Sequence, residues 1–152
     1  MMTESAVRRC VRELVANLDR ETALYEKLAG TAREAALAAE RCDPEALCEL
    51  LRTKSAVIAE LRPVAETTEV LRGELANHQV PQEFQERASE ALQRARSALE
   101  ALLNLEQANE ESFRAMTDSV RAELVETVRG RRLLEGYRVK RGTDPMFMDK
   151  RR

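Results

Sequence analysis

The chain has 152 residues, a formal net charge of −2, 34% charged residues and only 3% aromatics, with no Trp. A length of this order suits one domain, and a composition led by Ala, Leu, Glu and Arg suits long helices or coiled coils. It argues against a compact β-sandwich and against an α/β enzyme. The charge is unevenly spread: residues 129–152 carry nine Lys/Arg against three Asp/Glu, and the remainder carries sixteen against twenty-four. An acidic body with a basic end points to an acidic partner surface, anionic lipid or nucleic acid at that end.

The first four residues, Met1-Met2-Thr3-Glu4, lack the apolar stretch of a signal peptide. No apolar run approaches the ~20 residues needed to span a bilayer. Cys10, Cys42 and Cys48 form no even framework, so reduced thiols and a cytoplasmic location are expected.

A first helix is expected over about residues 4–41, capped near Thr3–Ser5. Its seam steps by fours and threes through Val7, Val11, Leu14, Leu18, Tyr25, Leu28, Ala32, Ala35 and Ala39. Glu21 alone interrupts it. The late alanines allow a neighbouring helix to approach closely. The turn Cys42-Asp43-Pro44-Glu45 supplies a cap, a first-turn proline and an acid for the helix dipole. So short a connection makes the next helix an antiparallel neighbour.

The second helix, about residues 44–78, repeats the seam through Leu47, Leu50, Lys54, Val57, Leu61, Val64, Thr68, Leu71 and Leu75. Lys54 is expected to lay its stem along the seam and send its ammonium to water. Pro63 removes one backbone bond and either kinks or splits the helix.

A third helix follows the break at residues 77–81 and runs over about 82–135, on the order of 80 Å. Its stripe is Phe84, Ala88, Ala91, Ala95, Ala98, Leu102, Leu105 and Asn109. Leu92, Leu99 and Leu103 widen the stripe enough to touch two helices. Asn109 reads as a polar register-setter. The third helix is longer than the other two and is expected to reach the open end of the hairpin near Arg114–Asp118. The remainder, from Ser119 to about Glu135, is expected to project, and there Val120, Leu124 and Val128, with Leu133 and Leu134, keep an apolar face that this chain does not cover. Such a face generally means a partner.

The expected fold is therefore all-α: an elongated antiparallel three-helix bundle or coiled coil over residues 1–135, with a longer third helix. Residues 136–152 form a basic tail, flexible until bound, with Gly136 as the helix stop and Tyr137, Met146, Phe147 and Met148 as its apolar content.

Catalytic chemistry is not expected. The single histidine, His78, falls in a loop, and no Cys/His spacing suits a metal. No glycine-rich phosphate loop follows a strand. No cofactor is called for. An acidic body opposes phosphate, and only Tyr137 and Phe147 could stack on bases, so nucleic acid is not an expected partner.

The chain resembles the FlgN-type flagellar export chaperones. Leu24-Tyr25-Glu26-Lys27-Leu28 resembles their first-helix segment. Asp43-Pro44-Glu45-Ala46-Leu47, followed by Leu50-Leu51-Arg52-Thr53-Lys54, resembles their inter-helix turn and the lysine after it. Asn109 resembles the Asn of their third helix, and Tyr137 to Gly142 with Met146-Phe147-Met148-Asp149 their tail. The resemblance implies a cytosolic chaperone that holds the C-terminal helical segment of hook-associated proteins and delivers it to the export gate. It implies that Phe113, Met116, Val120, Leu124 and Val128 hold the client and that Tyr137 docks at the gate. Pro63 and the strongly basic tail depart from the family pattern. The alternative is a structural coiled-coil homo-oligomer, in which the same face pairs with a second copy.

Overall fold

The structure, a computed structural model, describes residues 2–140. They form three α-helices: α1 Glu4–Glu40, α2 Pro44–Ala76 and α3 Gln82–Lys140. No strand occurs among the described residues. The helices pack as a helical bundle, as the seam spacing predicts. Two compact units divide the chain, Met1–Glu110 and Glu111–Arg152, with the division inside α3.

In the first unit, each helix start is fixed by the residue the sequence supplies. The Thr3 hydroxyl accepts from the Ala6 N–H at 3.2 Å, and the Asp43 carboxylate accepts from the Ala46 N–H at 3.1 Å. Pro44 follows Asp43 in the first turn, where its missing N–H costs nothing. The end of α1 is closed by a pair of reversed bonds: Cys42 N–H donates to the Ala39 carbonyl and Asp43 N–H to that of Ala38, both at 3.0 Å. This is the Schellman arrangement, and it places Cys42 at φ 53°, the left-handed region usually given to glycine. Asp43 thus closes one helix and opens the next.

Pro63 does not split α2, which is continuous from Pro44 to Ala76. The proline faces solvent, where water can satisfy the carbonyl it leaves unpaired.

The core lies in two apolar clusters. The first joins Val7, Cys10, Val11, Leu14 and Leu18 of α1 to Leu71 and Leu75 of α2 and to Ala91 and Ala95 of α3. The second joins Leu24, Leu28 and Ala29 to Val57, Val64 and Leu102. A polar layer separates them. Glu21, the interruption in the α1 seam, is only 7% exposed; it accepts from the Thr68 hydroxyl at 3.0 Å and from the Tyr25 hydroxyl at 3.2 Å. The helix that contributes most buried residues is α1, which touches both others; small side chains at Ala29, Ala32, Ala38 and Ala39 make this close contact possible. Leu103, expected to widen the α3 stripe, is exposed instead.

Three cross-links set the direction of α3. Phe84 packs beside the start of α1. Further along, Lys54 Nζ meets the Glu106 carboxylate at 3.1 Å, and Asn109 Nδ2 donates to the Ala32 carbonyl at 2.9 Å. Within the bundle unit, α3 therefore starts at the open end of the α1–α2 hairpin and runs parallel to α1 towards its turn. It is thus antiparallel to α2, as expected; what differs is the end it heads for, because α2 ends beside the beginning of α1 and α3 leaves the open end there instead of arriving at it. The Lys54 ammonium also departs from expectation: it reaches an acid on α3 rather than water alone. Asn109 does carry a cross-helix bond, as a register-setting residue should.

At its far end α3 continues through Gly136 to Lys140, so Gly136 does not stop the helix. The tail residues from Arg141 onward, including Met146, Phe147 and Met148, lie outside the described residues.

Candidate protein-binding face

The second unit begins at Glu111, and its described part is the helix from there to Lys140. Phe113 is half-buried. The other four residues expected to meet a partner are exposed: Met116, Val120 at 55%, Leu124 at 59%, and Val128. At about 100° per residue, Met116, Val120, Leu124 and Val128 fall within an arc of about 120°. Repetition at every fourth position keeps them on one side for about four turns of helix. The side chains that fill this helical spacing in the first unit are buried or half-buried; from Met116 to Val128 they are exposed.

Three further apolar residues on this helix, Val125, Leu133 and Leu134, are also exposed; Leu133, expected on the same face, falls on the opposite side of the helix. Leu134 continues the row, while Val125 lies about 100° round from Leu124 and broadens it on one side. The face is bordered by charge. Arg121 lies about 80° to one side of its midline, and Glu123 about 80° to the other. Sequence spacing alone singled out the apolar residues; the charged borders emerge only when every side chain is placed on the same helix. Tyr137 belongs to the last turn of α3, and its side chain lies outside what the structure describes.

A second exposed apolar pair, Leu37 and Leu51, flanks the α1–α2 turn. Leu51 directly follows the seam residue Leu50, and one step along a helix is enough to turn a side chain to solvent.

Burial, with the nearby Glu74 and then Glu13 carboxylates, pushes the Cys10 thiol up from its ordinary value, so it is a poor nucleophile. Burial and the Glu21 carboxylate push the Tyr25 hydroxyl up to about 12. Among the described residues, no group of three or more His, Cys, Asp or Glu side chains is placed to hold a metal ion, and no helix is long and apolar enough to cross a membrane.

Compared with known proteins, the chain matches no family model, no curated protein and no solved structure.

Proposed function

We propose that the chain is a cytoplasmic binding protein of the flagellar export chaperone type. It holds an amphipathic helix from the C-terminal part of a hook-associated protein and hands it to the export gate. The observation that supports this reading is the exposed row Met116, Val120, Leu124 and Val128 on a helix whose bundle segment buries the same spacing. The resemblance set out above supplies the class of client.

Binding would be helix against helix, each covering the apolar stripe of the other. A contact that buries a few hundred Å² of apolar surface contributes several kcal/mol at about 25 cal/mol per Å², before ordering costs are subtracted. Such a contact is firm enough to shield a client and weak enough to release it. The chain on this reading works by binding, not catalysis, with Tyr137 as the docking residue for the gate.

Co-purification with C-terminal fragments of hook-associated proteins tests the reading. Capture by the wild-type chain, and its loss in Leu124→Asp with helicity retained, is the expected result. Capture that survives both Leu124→Asp and truncation after Asp118 would place the client elsewhere.

A further inference from the structure

The apolar row of α3 is not symmetric in charge, and the asymmetry bears on what covers it in the free protein. Arg121 borders one side and Glu123 the other, each about 80° from the midline through Met116, Val120, Leu124 and Val128. Arg132 extends the basic border, and Glu126 lies further round on the acidic one. Neither Arg121 nor Glu123 has an ion-pair partner among the described residues. Two such faces can meet in two ways. A two-fold axis along the helices sets opposite borders against each other, basic on acidic. A two-fold axis across the helices sets like borders together, Arg121 on Arg121 and Glu123 on Glu123.

We propose that this face seats a second copy of the same chain, parallel and in register, with Arg121 of each copy against Glu123 of the other. Met116, Val120, Leu124 and Val128 then stack on their own counterparts. Charges at the borders of a helical seam select orientation in this manner, and here they select only one. The contact is small. About four turns of helix on each side fall short of the ~1,200 Å² of a standard interface, so the pairing is reversible and concentration-dependent. The inference deepens the proposed function: the second copy covers the client face until a client displaces it.

Sedimentation of the full-length chain without any client is the first test. A monomer–dimer equilibrium that disappears in Val120→Asp is expected. Arg121→Glu and Glu123→Arg should each weaken pairing by about tenfold, since each reversal affects both symmetric contacts. The double reversal should restore it. Orientation is read by oxidative trapping in a Cys42→Ser, Cys48→Ser background, using differently tagged Met116→Cys and Val128→Cys chains. Parallel pairing gives 116–116 and 128–128 cross-links; the antiparallel alternative gives 116–128. A wild-type chain that stays monomeric at all concentrations, a predominance of mixed cross-links, or a double reversal as weak as the single ones would overturn the proposal. None of these readouts uses a client, so failure here is separable from failure of client capture.

Discussion

Thr68 on α2 donates its hydroxyl proton to Glu21 on α1 across 3.0 Å, inside the helix interface and between two apolar clusters. A carboxylate in such a place is costly unless its oxygens are bonded. Thr68→Val leaves Glu21 with the Tyr25 hydroxyl as its remaining bond. It should destabilise the bundle by about 1–3 kcal/mol. Adding Glu21→Met removes the buried charge and should recover most or all of that loss. Urea unfolding of the two single variants and the double variant checks the cycle. Strict additivity would show that the two residues do not interact.

Tyr25 offers a pH signature of the same layer. Its hydroxyl is pushed up from 10.0 to about 12, first by burial and then by Glu21. A folded-state value above the unfolded one means that the folded chain holds the proton more tightly. The associated stability is fully present below pH 10 and is lost as pH rises towards 12. Spectroscopic titration of the phenolates should show a late-ionising tyrosine that vanishes in Tyr25→Phe. The variant should also lose less stability than wild type over this window.

The left-handed Cys42 is a site where a smaller residue should improve the protein. Its φ of 53° strains any side chain with a Cβ. Cys42→Gly keeps both Schellman bonds and should stabilise by about 1 kcal/mol, whereas Cys42→Val should destabilise by at least as much. The shift of the urea midpoint at constant slope measures both.

Pro63 lies inside a continuous helix on its solvent side. Pro63→Ala restores an N–H and removes the ring, and should stabilise α2 by about 1–3 kcal/mol. Thermal unfolding followed by circular dichroism reads the change. A neutral or negative effect would show that the bundle is adapted to a bend at this position.

The three helices, their caps and most of the core were legible because each rests on local signals: a 3.5-residue seam, Thr3 and Asp43 as caps, and Pro44 in a first turn. Asn109 was legible too, since a lone amide in an apolar row needs a partner. Other features depend on which helix lies opposite. Glu21 reads as a defect along α1 alone and becomes a bonded layer only against Thr68. Lys54 finds Glu106 fifty-two positions away. The exposure of Leu103 follows from packing, which spacing within one helix does not encode. On the exposed part of α3 the apolar row could be read from spacing, but its charged borders required the full circumference of the helix.

The polar layer at Glu21 has a consequence for the choice among helix alignments. Above and below it the seams are aliphatic and nearly interchangeable, so a slip of one or two turns would still bury oil against oil. The same slip would press Glu21 against Leu71 or Val64 and strand its charge without a donor. A uniform seam would tolerate several alignments. This one carries a notch and a matching tooth, and α1 and α2 interlock there in one position.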